Sequence, residues 1–383
     1  MPTRVDPPED TVRGPVPWWV SVAVVLLVIA GALAAALALE PRGRKGERPP
    51  PTGQVTIFRD VLTGRLLDER GRPAPPESGP GSSEENPLRI RFVPSTDVAQ
   101  SAPTVRRLVD FLERRTGRVI EGRTLHDYGL VIQELVQRKC DIAFLTAASY
   151  ARARYATDNN DDPDDDVEAF LQVVRRGQPE HPGSDLAYRA ALIVRNDSPI
   201  RSVDDIGPET LVALGSPTSG ASSILPSALF TRLGVRPKIH RIVGYPFIVN
   251  AVLQGVAEVG SIWWSPPNEE QPRNDARQLV LETNPDVFEQ TRIIGFTAWI
   301  PNEPVVCPKA LDVSIRHEIA RALSLYVAQL TLTEEGRKEL VAVGTPIGFI
   351  PATNDDFVPL MEVIEQAFAD DPEGRRHFMA GSK

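Results

Sequence analysis

Thr218, Ser219 and Gly220 are the residues whose types and spacing best suit chemistry. They follow a short apolar run, Leu211 to Leu214, and precede apolar residues at Ile224, Leu225, Ala228 and Leu229 in helical spacing. The local order is therefore strand, small-residue loop, helix. A helix that starts in this way leaves its first amide N–H groups unpaired and carries partial positive charge at that end. Two hydroxyls beside those amides make a set of uncharged donors fitted to a small oxyanion, and Gly220 lets a ligand approach the backbone closely. The same three residues would also serve as a serine cap on an ordinary helix. The rest of the chain has to decide between the two.

Such a loop needs a sheet behind it, and strands and helices alternate along the chain. Leu88 to Val93 reads as a strand; Val105, Leu108, Val109 and Leu112 form a helical stripe that Gly117 stops. A strand from Val119, a stripe from Tyr128 to Val136 and a strand from Asp141 to Leu145 follow. After Phe170 to Val174 and Leu186 to Val194, a second alternating unit runs through Thr210 to Leu214, a 219 to 233 helix, Lys238 to Val243, a Phe247 to Leu253 helix and Glu258 to Trp263. The chain returns through Thr291 to Trp299 and Glu303 to Val306, then ends in a long helix, Gly348 to Pro351 and a helix near Phe357 to Phe368. This alternation implies parallel sheets with ligands at the carboxyl ends of the strands. The expected division is one lobe of residues 88–195 and 297–383 and a second of 196–296, joined by crossings near 195 and 296 as a hinged clamp.

Composition narrows the function. The chain has 383 residues, a formal charge of −9 and 6% aromatics, which argues against a nucleic-acid partner. Cys140 and Cys307 lack metal-site spacing and are expected to be buried free thiols. The acidic segment Asp158 to Asp166 lacks the glycine and spaced glutamate of an EF-hand loop, and reads as a solvated surface loop. No cofactor and no metal are expected. Behind an N-terminal tail, 1–17, the uncharged and mostly apolar residues 18–39 are long enough to cross a bilayer, and Trp18 and Trp19 sit at the start. Residues 40–87 read as a linker with a small hairpin over 55–67, and Pro73 to Pro87 has the composition of a disordered segment. Arg42, Arg44, Lys45 and Arg48 follow the span and would favour a cytoplasmic side on the positive-inside rule.

Several segments in order resemble the phosphate/phosphite/phosphonate substrate-binding proteins of ABC transporters: Leu88 to Thr96, Asp127-Tyr128 opening a helix, Cys140 to Tyr150, Tyr188 to Pro199, Thr218 to Gly220, and Ile300 to Val306. The resemblance covers roughly residues 88 to 360. It implies an α/β, two-lobed type 2 periplasmic-binding-protein fold with a hinge, here preceded by one N-terminal transmembrane helix. It also implies ligand-binding roles for Tyr128, Tyr188, Thr218, Ser219, Gly220, Tyr245 and Glu303, with Ser95, Thr96, Ser265 and Trp263 as further candidates. Where the family loop reads Ser-Thr-Ser-Gly this chain has Pro217 first, so one hydroxyl is missing; Tyr245 replaces a histidine, and Glu303 stands where the family has a shorter acid. Ser265 falls where phosphonate binders direct a glutamate at a ligand amine, which points to an anion without an amine.

The implied partners are a small oxyanion, an ABC permease and, through residues 18–39, the membrane. The implied location of the binding domain is extracytoplasmic, against the count of basic residues after the span. Glu303 is expected to accept a hydrogen that the ligand brings. A ligand-sensing module of the same fold and a cysteine enzyme are the competing readings.

Overall fold

In a computed structural model of the chain, the structure describes residues 65, 67, 72–93, 98–125, 127–157, 166–178, 180–268, 271–342, 346–368 and 378. The expected membrane span 18–39, the 55–67 hairpin apart from residues 65 and 67, Ser95, Thr96, and the acidic segment up to 165 lie outside these. Among the described residues, no helix is long and apolar enough to cross a membrane.

The chain runs through β1 (Leu88–Phe92), α1 (Val98–Thr116), β2 (Ile120–Thr124), α2 (Tyr128–Val136), β3 (Ile142–Phe144), α3 (Ala147–Thr157) and β4 (Val167–Arg175). β5 (Ala187–Arg195) and β6 (Leu211–Leu214) follow, and a π-helical turn, Gly220–Ile224, leads into α4 (Leu225–Arg232). Next come β7 (Lys238–Arg241), α5 (Tyr245–Leu253), β8 (Val259–Trp264), α6 (Val287–Gln290) and β9 (Thr291–Pro301). The last elements are β10 (Pro304–Pro308), α7 (Val313–Thr331), α8 (Glu334–Ala342), β11 (Pro346–Pro351) and α9 (Val358–Ala367).

These strands build a six-stranded sheet of order β11-β4-β10-β3-β1-β2 and a five-stranded sheet of order β7-β6-β8-β5-β9. β1 pairs parallel with β2 and β3, whereas β10 is antiparallel to β3 and β4, and β11 to β4. In the second sheet β6 is parallel to β7 and β8, and β5 is antiparallel to β8 and β9. The expectation of parallel sheets is thus corrected to two mixed ones. Parallel neighbours need a crossover helix, and β5 and β10 each arrive directly from the other sheet without one.

The crossings also move. β5 and β9 pair along most of their length into the five-stranded sheet, so the chain passes between sheets at residues 176–186 and again at Asn302 and Glu303, rather than near 195 and 296.

One apolar cluster fills the side of the six-stranded sheet under α1 and α7, with Leu88, Ile90, Leu112, Ile142, Ile319 and Leu323 at its centre. Two more flank the five-stranded sheet, around Ile248, Val252 and Ile262 on one face and Val212, Leu214 and Leu229 on the other. A fourth is shared by both sheets: Ala143, Ala148 and Ala151 pack with Ala221, Ile224, Leu225 and Ile300, and α9 adds Leu360 and Ile364. Each fully buried Leu or Ile contributes about 1.5–3 kcal/mol. That shared cluster holds the two sheets against each other.

Residues 73–87 are not the loose linker that their composition suggests. The Val119 amide donates to the Gly81 carbonyl at 3.0 Å, Arg118 Nη1 donates to the Pro80 carbonyl at 2.6 Å, and Leu67 bridges Pro73. Gly117, at φ +66°, brings the backbone so close to Pro73 that a Cβ would lie 2.0 Å from its carbonyl oxygen. The proline-rich segment is ordered because its carbonyls find donors at the start of β2.

Candidate functional site

The strand directions decide which residues meet. β4 runs the same way as β3, since both are antiparallel to β10, so Arg175 at its end shares an edge with the carboxyl ends of β1 to β3. Glu303 precedes β10 at that same edge. In the other sheet Tyr188, near the start of β5, lies across from Ile300 and close to the carboxyl end of β8. Tyr128 and Tyr245 are the first residues of α2 and α5.

The hydroxyl loop opens the π-helical turn, a geometry that recurs at functional sites. Ser219 caps it: its Oγ accepts the Ser222 amide at 3.3 Å and lies 3.4 Å from the Tyr245 hydroxyl. Ser261 donates to the Ala221 carbonyl, and Gly215 to that of Ser222, tying the turn to its sheet. The amides of Gly220 and Ala221 precede any acceptor within the turn. Thr218 is buried, with its Oγ1 3.0 Å from Ser216 Oγ. Ser216, on the other side of Pro217, therefore shares its hydroxyl with Thr218, while position 217 itself carries none. The loop meets the first sheet as well, since a Cβ on Gly220 would stand 3.6 Å from Ala148 in the first turn of α3, 3.7 Å from Ile300 and 3.9 Å from the Tyr188 hydroxyl. The start of the turn thus lies against the first turn of α3 and beside the Tyr188 hydroxyl.

Electrostatics group the same residues. The Tyr128 hydroxyl is raised above its ordinary pKa by loss of water, then by Tyr245, Glu303 and Asp127. Tyr188 is raised as well, by burial first and Glu303 second, while Arg175 pulls it down. Burial raises Tyr245 too, with Glu303 adding to the rise and the Ser219 and Ser222 hydrogen bonds opposing it. All three tyrosines stay protonated at neutral pH and act as donors. Glu303, half-buried, has its Oε2 2.7 Å from Arg175 Nη1.

The structure therefore brings Tyr128, Tyr188, Ser219, Gly220, Tyr245 and Glu303 into one neighbourhood, with Thr218 two residues from Gly220. Trp263, half-buried opposite Ala190, packs against the same shared cluster as Tyr128 and Tyr188. Ser265 lies past the end of β8, where its amide donates to the Asn274 carbonyl at 2.9 Å, and it joins none of these contacts. Sequence reasoning missed Ser216, Ala148 and Arg175. A third hydroxyl just upstream of the loop was the available signal for Ser216; nothing in the sequence links Arg175 to a glutamate so distant in the chain. Cys140 and Cys307 are buried free thiols, both pushed up to about 12 by burial, and Cys140 Sγ donates to the Ile142 carbonyl. Among the described residues no group of side chains has the makings of a metal site. A separate cavity of about 510 Å³, between β4, α7 and the end of β11, includes none of the tyrosines.

Several solved structures resemble this one. A binding protein component of an ABC phosphonate transporter from Pseudomonas aeruginosa is 18% identical with a TM-score of 0.56, over 75% of this chain and 89% of that one. A Xanthomonas citri protein bound to ATP is 16% identical with a TM-score of 0.55, over 76% of this chain and 98% of that one. PhnD1 from Prochlorococcus marinus, in complex with methylphosphonate, is 12% identical with a TM-score of 0.54, over 72% of this chain and 96% of that one. At such identities the likeness shows a shared periplasmic-binding-protein fold. No curated protein matches the chain. The family model described as ABC transporter, phosphonate, periplasmic substrate-binding protein matches residues 90–357, a span that holds the whole tyrosine and hydroxyl cluster. On that match, the chain belongs to the periplasmic substrate-binding proteins of ABC phosphonate transporters.

Proposed function

We propose that this chain captures a small phosphorus oxyanion without an amine, such as phosphate, phosphite or methylphosphonate, and delivers it to an ABC permease. The observation that carries the reading is the meeting of Ser219, Gly220 and the Tyr188 and Tyr245 hydroxyls at the facing ends of two sheets. Neutral donors and helix amino ends stabilise an anion, each helix end adding about 0.3–1 kcal/mol. Isothermal titration with phosphate, phosphite and methylphosphonate is expected to give heat with at least one, and silence from all three would sink the reading. An aminoalkylphosphonate is expected to bind more weakly, because the carboxylate of the cluster, Glu303, is already paired with Arg175.

The same reading places the binding domain outside the cytoplasmic membrane, tethered through residues 18–39. Protease added to intact spheroplasts is expected to degrade residues 88–383; protection of that region would reverse the orientation. Catalysis by a thiol is not favoured, since burial keeps both cysteines in their un-nucleophilic protonated form.

A further inference from the structure

We infer that Arg175 sets which charge state of the bound anion the cleft accepts, by neutralising Glu303 so that the ligand need not bring a proton. The inference rests on the oxyanion reading above. A carboxylate beside an oxyanion is repulsive unless a hydrogen lies between them, and only the ligand can supply it when the carboxylate stands alone. Glu303 does not stand alone. Its Oε2 is buried, makes no hydrogen bond among the described residues, and lies 2.7 Å from Arg175 Nη1 as an ion pair, with the two side chains 26% and 20% exposed.

The geometry fixes the pair from both sides. Arg175 ends β4, and its amide donates to the Asp185 carbonyl at 2.9 Å. The Glu303 carbonyl accepts the Val173 amide at 3.0 Å, so the two residues sit across the seam where the chain passes between sheets. Among the described residues, the titratable groups facing the pair are Tyr128 from α2, Tyr188 from β5 and Tyr245 from α5, all neutral donors. Beside Tyr128, Asp127 is offset by the buried Arg152, whose guanidinium would lie 3.6 Å from a Cβ on Gly129. Among the described residues, Glu303 is thus paired with Arg175, and Asp127 acts on Arg152. A fully deprotonated dianion meets no net repulsion there, and it gains the most from neutral donors and helix ends.

The test is the pH dependence of methylphosphonate affinity, because that ligand passes from monoanion to dianion near neutral pH, as a phosphate group does at about 6. Wild-type affinity is expected to rise with pH through that ionisation and then level. In Arg175→Gln the uncompensated Glu303 demands a protonated ligand, so affinity is expected to fall about tenfold per pH unit above the ionisation. Arg175→Lys keeps the charge and the wild-type direction, and the double variant R175Q/E303Q removes both charges and regains it. A purely structural role for Arg175 would shift affinity at every pH without reversing the slope. The inference is overturned if R175Q keeps the wild-type slope, if the double variant does not regain it, or if wild-type affinity falls as pH rises. No heat from wild-type protein with any of the three anions would bring down the oxyanion reading, and this inference with it; binding with the wrong slopes would remove the inference alone.

Discussion

Ser219 does two things with one oxygen: it caps the π-helical turn through the Ser222 amide and lies within reach of the Tyr245 hydroxyl. Loss of a helix cap costs about 1 kcal/mol, while a hydrogen bond to a charged group contributes about 1.5–3 kcal/mol. Ser219→Ala is therefore expected to weaken anion binding at least tenfold, read by titration, and to lower the melting temperature of the free protein by only a few degrees. The thiols give a second prediction at this scale. Both are buried and protonated, so a disulfide reagent is expected to label neither in the native protein at pH 8 and both in denaturant. Thr218, Ser219 and Gly220 were legible in the sequence because a hydroxyl loop after an apolar strand leaves a local signature, whereas Tyr188 and Tyr245 entered only through the family resemblance. Arg175 was not, because its partner is set by strand pairing across the sheet, and Ser216 was masked by the proline between it and Thr218.

Two glycines in one loop separate space from function at the scale of the element. A methyl on Gly220 would meet Ala148, Ile300 and the Tyr188 hydroxyl at ordinary contact distances, 3.6–3.9 Å. Gly220→Ala is expected to fold with nearly unchanged stability and yet bind the anion far more weakly, since the methyl takes the space beside that hydroxyl. A methyl on Gly215 would lie 2.1 Å from Ser222 Oγ, so Gly215→Ala must displace the capped turn and is expected to lose both stability and binding. Parallel melting and titration of the two variants check this, and equal losses of stability would refute it. The strands and helices around this loop were readable from apolar spacing, with boundaries off by a few residues. Their directions were not: periodicity reports which residues are buried, and it says nothing about whether β5 or β10 enters its sheet parallel or reversed.

For the whole molecule, the shared apolar cluster makes α9 a bridge, because Leu360 and Ile364 pack in one core with Leu225 of the five-stranded side and Ala151 of the six-stranded side. Leu360→Ala is expected to cost about 2–5 kcal/mol, measured by denaturant unfolding. Alkaline pH acts on the same interior. The native protein holds its thiol and tyrosine protons more tightly than the unfolded chain does, so stability is complete below pH 9 and declines above it, by up to about 1.4 kcal/mol per pH unit for each thiol. A melting temperature that held steady from pH 8 to 10.5 would contradict this. Two sheets could be read from the doubled strand and helix pattern, whereas the order of residues 73–87 could not, since a proline-rich composition does not reveal the donors on another element that fix its carbonyls. Just upstream, Arg65 donates to the Thr116 carbonyl and pairs with Glu318 at 2.8 Å, where Arg118 also binds. This clasp fastens Arg65 to α1 and α7 beside the six-stranded sheet, so a tug arriving there is borne by those two helices.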